Sequence, residues 1–388
     1  MAQTDDDFLT DRINRYPSWS PRIWTGFCPW QYWQLLAENR FRIHPSRYAM
    51  TGLVSFWALW NSVFAAGQRV VKGTAIANTK IEQPPIFLLG HWRCGTTLLH
   101  ELMSLDEQMA YPQNYDTFVP HHFLVSGWVL RPILRMLIPR KRPMDDMPVS
   151  LESPQEDEFA LMILGASSGY RRIAFPHSDQ PYFRWFDSAN LNVAQLDRLR
   201  VAAQYFVRAL TLKYKKRLVL KSPPHTGRIR DLASWFPDAK FVHISRHPYQ
   251  VVPSTIRLWK ITDELQSFQK QRYSTADLLS YVNECQQVMY RAYFRDRLLL
   301  NENQLVEIKY EDLIERPAPT LQLIYDRLEL SGVEPVIESV QAYFQERKSH
   351  QPNRLNIDAI AECIDEHWSE YMAYFQYEKV RQPKFEPV

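Results

Sequence analysis

Apolar and polar positions follow two regimes along this chain. From residue 85 onward, short uninterrupted apolar runs alternate with stretches of helical spacing. The runs IFLL (86–89), LVLK (218–221), FVHIS (241–245) and LVEIKY (305–310) are rich in Val, Ile, Leu and Phe and poor in Gly. A strand covered on both faces carries such a run, because neither face calls for polar residues. Between them TTLLHELMSL, QEDEFALMIL, VAAQYFVRALTLKY, RIRDLASWF and DLLSYVNECQQVMYRAYFRDRLLL read as helices. This alternation predicts an α/β fold, a mainly parallel central sheet flanked by helices. Ligands in such sheets lie beyond the carboxyl ends of the strands, so motifs at those ends matter most.

Before residue 85 the pattern changes. Residues 48–68, YAMTGLVSFWALWNSVFAAGQ, carry no charge, and their length approaches a membrane span of about 20 residues. Helical spacing sorts them into a bulky stripe of Leu53, Phe56, Trp57, Trp60 and Phe64 and an opposite side of Thr51, Ser55, Ala58 and Ser62. A helix packed on the rest of the protein explains such a division, and lipid on all sides does not require it. A helix lying in a membrane interface and a true span stay open beside that reading. The start of the chain, polar and acidic, lacks the charge pattern of a secretory signal. We therefore expect an aromatic-rich helical extension over 1–83 and one α/β domain over 84–388. The expected location is cytoplasmic, with any membrane contact peripheral and through residues 48–66.

Composition narrows the chemistry. The formal net charge of +3 over 388 residues is too small for a general nucleic-acid binder, so anion affinity has to come from local clusters. Cys28, Cys94, Cys285 and Cys363 are widely separated and match no zinc-ligand spacing; free thiols and no metal site are expected.

The segment PPIFLLGHWRCGTTLLHELM joins a strand to a helix through a loop bounded by Gly90 and Gly95. Amides around Cys94, Gly95, Thr96 and Thr97 converge on an anion at such a helix start, where the helix dipole adds attraction. Arg93 supplies a cationic fork. A nucleoside-triphosphate loop places Lys directly after the second Gly; here Thr96 stands there, which argues against a kinase. A second strand end, FVHISRHPYQVVPS, offers Arg246 and, eight residues on, Ser254.

In this ordered combination the sequence resembles the sulfotransferases that use 3′-phosphoadenosine 5′-phosphosulfate (PAPS). GHWRCGTTLLHEL resembles the family's 5′-phosphosulfate loop, FVHISRHPYQVVPS its 3′-phosphate segment, and VEIKYEDLIERP the strand and turn that follow. The likeness covers residues 84–330 and is nearest to the large, mostly bacterial branch with KSPPH and SPQEDE segments. Cys94 departs from the family, which commonly has Ser there. The resemblance implies the P-loop-like sulfotransferase fold, PAPS as co-substrate, no metal, and a hydroxyl or amine acceptor. It also implies that Arg93 steadies the bridging oxygen as the S–O bond breaks, and that Tyr310 lies near the adenine. Arg347 and Lys348, in QERKSHQPNRL, stand where the family closes the 3′-phosphate with a basic loop, though the usual following Gly is missing.

Transfer to a hydroxyl needs a base within hydrogen-bond reach of it. SPQEDEFAL offers Glu156 and Glu158, which cannot face the same way on a helix; one would point at the acceptor and the other orient Arg or Lys. His225 in LKSPPHTG is a second candidate, and Lys221 is placed to touch the sulfonate or the acceptor. A catalytically silent nucleotide-binding or membrane-docking protein would keep Arg93, Arg246 and Ser254 but lack the base. The apolar run HHFLVSGWVLRPILRMLIP, with the aromatic helix, would wall a pocket for a small-molecule or lipid acceptor.

Overall fold

The computed structural model describes residues 20–137, 150–346 and 360–379. Five strands form one sheet: β1 (Ile86–Leu89), β2 (Met109–Ala110), β3 (Arg217–Lys221), β4 (Lys240–Ser245) and β5 (Leu305–Lys309). Their order is β2-β3-β1-β4-β5, and every pairing is parallel. The four apolar runs are β1, β3, β4 and β5. All four residues of β1 are buried, and Phe87 stacks on Phe241 of β4 with ring centroids 5.6 Å apart.

Strand order positions the site. The chain leaves β3 on one side of β1 and returns as β4 on the other, so strand order reverses about the carboxyl end of β1. That reversal is where open α/β sheets accept ligands. The ends of β3, β1 and β4 therefore stand side by side, about 4.8 Å from neighbour to neighbour.

Among the described residues up to Gln266, nine helices frame this arrangement: α1 (Pro29–Glu38), α2 (Tyr48–Asn78), α3 (Thr96–Met103), α4 (Asn114–Phe118), α5 (Gly127–Leu137), α6 (Asp157–Ile163), α7 (Val193–Tyr214), α8 (Ile229–Trp235) and α9 (Pro248–Gln266). Trp24, Phe27, Tyr32 and Leu35 belong to the same hydrophobic core as the strands, so the described residues before 84 are built into the body.

Helix α2 packs in an unexpected rotation. Its buried side is Met50, Val54, Ala58, Asn61, Gln68 and Ile76. Asn61 donates to the carbonyls of Thr25 (2.7 Å) and Phe27 (2.9 Å). Gln68 donates to the Tyr205 hydroxyl of α7 (2.8 Å) and accepts the Leu124 amide (2.9 Å). The bulky stripe divides instead of burying as a unit: Trp57 and Phe64 pack against the core, whereas Phe56 and Trp60 are exposed. Small Ala58 and the two amides let α2 approach the body more closely than Trp60 and Phe56 would allow.

Candidate active site

The first strand end is a glycine-dependent turn. Gly90 (φ 141°) closes β1 and Gly95 (φ 102°) opens α3. A Cβ on Gly90 would lie 2.5 Å from the Ile244 carbonyl oxygen, and one on Gly95 2.3 Å from Tyr310 Cδ2. Both backbone conformations also belong to the left-handed region that side chains avoid. The Gly90 amide donates to Thr226 Oγ1 at 2.8 Å, which ties the loop to the segment after β3. Gly95 gives α3 no side-chain cap, leaving the first helical amides to an external acceptor.

The end of β4 meets this loop. Arg246 Nη1 donates to the Arg93 carbonyl at 3.2 Å, its Nε donates to Gln250 Oε1 at 2.8 Å, and its guanidinium sits 4.0 Å from the centroid of the Tyr310 ring. Arg93 Nε donates to Ser254 Oγ at 2.9 Å. Thus Arg93, Gly95, Arg246, Ser254 and Tyr310, spread over more than two hundred residues of sequence, form one cationic cradle. Tyr371, in the helix Ser369–Phe375, fixes it from behind: its hydroxyl accepts the Arg246 amide at 3.0 Å and donates to the Arg246 carbonyl at 3.1 Å. Such a cradle, with glycines where a Cβ would intrude, fits a phosphorylated nucleoside.

The end of β3 supplies the third cation. Lys221 Nζ donates to Glu156 Oε1 at 2.8 Å and lies 3.5 Å from Thr97 Oγ1. The second oxygen of Glu156 accepts the Tyr170 hydroxyl at 2.6 Å, and Tyr170 in turn accepts the Trp92 indole N–H at 2.8 Å. Burial, reinforced by the Glu156 charge, pushes the Tyr170 phenol well above its ordinary range. It therefore stays protonated and serves as a donor.

Glu156 and Thr97 both line a cavity of about 560 Å3, a size in the usual range for ligand pockets. Its remaining wall is largely apolar and includes Trp57, Leu130, Ile133, Leu134, Phe159 and Trp259. The apolar run 121–137 and the aromatic helix thus meet across this space.

The remaining candidates separate by position. Glu158 does not reach the cavity. It is fully buried and receives both Arg228 Nη1 (2.5 Å) and Nη2 (3.0 Å), with the Ser168 hydroxyl donating to it as well. His225 is also buried, its Nε2 2.7 Å from Asp157 Oδ2. Burial alone would raise the Asp157 carboxyl, but His225 and the Ser222 hydroxyl outweigh it and hold it below its ordinary value. His225 therefore braces the turn after β3. Arg93 Nε donates to Ser254, whereas Lys221 is paired with cavity-lining Glu156.

Cys94 is buried, and burial pushes its thiol up to about 12, so it contributes no thiolate. Arg347 and Lys348 lie outside the described residues. Arg228, Tyr170, Trp92 and Tyr371 had no motif to mark them; the acids and arginines they serve were the only sequence signal.

A sulfotransferase family model matches residues 84–335. The chain belongs to the sulfotransferase family. It is 35% identical over 376 residues to omega-hydroxy-beta-dihydromenaquinone-9 sulfotransferase Stf3 of Mycobacterium tuberculosis (strain CDC 1551 / Oshkosh), covering 95% of both chains. The protein of the same name from Mycobacterium bovis (strain ATCC BAA-935 / AF2122/97) matches equally. Among solved structures, sulfotransferase STF9 from Mycobacterium avium superposes with a TM-score of 0.62 at 15% identity, over 91% of this chain and 97% of that one. STF1 from Mycobacterium tuberculosis H37Rv gives 0.62 at 16% identity, over 87% and 92%. The P-loop-like fold is thus that of the sulfotransferases, and this sulfotransferase is an enzyme that transfers a sulfonate group.

Proposed function

We propose that the enzyme takes PAPS as donor and passes its sulfonate to a hydroxyl on a lipophilic acceptor held in the 560 Å3 cavity. One observation carries this reading: Lys221 touches Thr97 of the anion loop on one side and Glu156 of the cavity wall on the other. Donor cradle and acceptor cavity meet there, with Trp92 of the same loop also lining the cavity. Stf3 of Mycobacterium tuberculosis is named for an omega-hydroxylated dihydromenaquinone. A hydroxyl at the end of a long apolar molecule suits a wall of Trp57, Leu134 and Phe159 with a carboxylate at Glu156.

Each residue then has a task. The amides of Cys94, Gly95, Thr96 and Thr97 hold the 5′-phosphosulfate; Arg246, Ser254 and Arg93 hold the 3′-phosphate; Tyr310 borders the nucleoside. Bound PAPS supplies an activated sulfonate whose S–O bond to the 5′-phosphate breaks as the acceptor oxygen bonds to sulfur. Lys221 neutralises charge growing on the departing oxygen, which stabilises the transition state more than the ground state. Glu156 accepts the acceptor proton, its carboxylate aimed by the Lys221 ammonium and the Tyr170 hydroxyl. The hydrophobic wall keeps water from competing for the sulfonate.

Calorimetry with 3′-phosphoadenosine 5′-phosphate, the desulfonated donor, tests the cradle: binding is expected, with none for ATP. Transfer of labelled sulfonate to an ω-hydroxylated isoprenoid quinone tests the acceptor. In Glu156→Gln, nucleotide binding persists while turnover drops by roughly two to four orders of magnitude. Full turnover in that variant would remove Glu156 from the chemistry, and failure to bind the nucleotide would remove the donor.

A further inference from the structure

Helix α2 is long and apolar enough to cross a bilayer, yet it is no core helix: only 22% of its most apolar stretch is buried in the protein. Neither is it free to span. Asn61 and Gln68 pin one side to the body through bonds to Thr25, Phe27, Tyr205 and Leu124. What remains is a helix with one side fixed and the other side turned to solvent with Phe56, Leu59, Trp60, Val63 and Val70. Helix α5 repeats the arrangement, with Trp128 84% and Met136 75% exposed.

From this we infer that the exposed faces of α2 and α5 seat the enzyme on a lipid bilayer, in the interfacial plane, and that the acceptor passes from lipid into the cavity without crossing water. The inference deepens the lipophilic-acceptor reading and rests on it for the second clause only. Three observations favour lipid over a protein partner. The exposed residues include Trp and Tyr, with Trp30 and Tyr48 adding to Trp60 and Trp128, the residue types that settle at headgroup depth. The charged side chains of the two helices are Arg69, Lys72, Arg131 and Arg135, with no Asp or Glu in either. Arg131 and Arg135 are bridged to Glu152, and Lys72, four residues after Gln68, falls on the pinned side of α2, so the face these helices offer to lipid is apolar and carries no carboxylate of its own.

The third observation is continuity. The same two helices wall the cavity, α2 through Trp57 and Asn61 and α5 through Leu130, Ile133 and Leu134. On α2 the exposed Phe56 ring lies edge-on to cavity-lining Trp57, centroids 5.7 Å apart. A hydrophobic acceptor embedded in a bilayer against this face is separated from the cavity by the helices that wall it.

The test is flotation of the full chain with two kinds of vesicle, one of phosphatidylcholine alone and one with a quarter phosphatidylglycerol. Co-flotation with both kinds of vesicle is expected, because the exposed face is apolar. The double variant Trp60→Ser/Trp128→Ser, neither residue lining the cavity, is expected to lower the vesicle-bound fraction at least tenfold. Its turnover on a detergent-solubilised acceptor stays at the parent level, and turnover on acceptor embedded in vesicles falls with the bound fraction. An intact chain that never co-floats overturns the inference. So does a double variant that floats normally but has lost a dimer seen by light scattering, because a second copy then covers the face. Vesicle binding without turnover on any lipid acceptor would sink the acceptor assignment and leave the docking face standing.

Discussion

Glu158 and Glu156 are two residues apart, and the structure gives them opposite dependences on mutation. Glu158→Gln removes the charge opposite Arg228 where both side chains are at most 1% exposed. At contact distance and an effective dielectric near 20 the lost attraction is about 5 kcal/mol. Gln keeps the size and can still accept from Ser168, but its amide N–H2 group faces a guanidinium that has nothing else to pair with. Breaking one side of a buried pair in this way costs about 3–5 kcal/mol. With a shift of roughly 2 °C per kcal/mol for a chain of this length, Tm falls by about 6–10 °C. Scanning calorimetry measures this, with nucleotide titration of the folded enzyme alongside. Replacing both partners, Glu158→Leu with Arg228→Met, is expected to recover most of the loss, since apolar packing substitutes for a buried ion pair at little cost. The reasoning fails if Glu158→Gln melts within about 2 °C of the parent while turnover drops roughly a hundredfold. Glu158 would then act in the chemistry.

Two further outcomes follow from the same geometry. Gly95→Ala puts a methyl 2.3 Å from Tyr310 Cδ2 at a φ of 102°, which costs about 1–2 kcal/mol in backbone strain alone; nucleotide titration is expected to show weaker binding by at least about tenfold, and unchanged affinity would mean the loop does not approach the ligand closely. Burial lowers the imidazoles of His91 and His121 to about 4 and those of His100, His122 and His243 to about 3. Unfolded, each takes up a proton near pH 6.5, so their contribution is complete above that pH and is lost as pH falls toward 4 and 3. Going from pH 6.5 to 5.5 removes roughly 5 kcal/mol across the five, and a denaturation midpoint that stays flat over that interval would contradict it.

Much of the sheet was legible because a strand buried on both faces has only one way to be written. The runs at 86–89, 218–221, 241–245 and 305–310 match β1, β3, β4 and β5 to within a residue at each end. β2, two residues long, has no periodicity to read. The members of the cationic cradle were legible through spacing within single loops, as Gly90 to Gly95 and Arg246 to Ser254 show. The junction was not. Lys221 reaches Glu156 across 65 residues and Arg228 reaches Glu158 across 70, and no local pattern encodes such pairings. That left Glu156, Glu158 and His225 equivalent on paper although only the first lines the cavity. The rotation of α2 was not legible for a different reason: spacing separates two faces without saying which turns inward, and Ala58, Asn61 and Gln68 allow closer approach and more hydrogen bonds.

Lys221, the turn after β1 and Arg246 leave from three adjacent strands, so the hydrogen-bond repeat of the sheet sets the gauge between the cations. Part of the cavity wall comes from α2, α4 and α5, none of which belongs to that ladder. Those three helices are therefore free to drift in evolution, or to be exchanged by design, while the gauge between the cations stays constant.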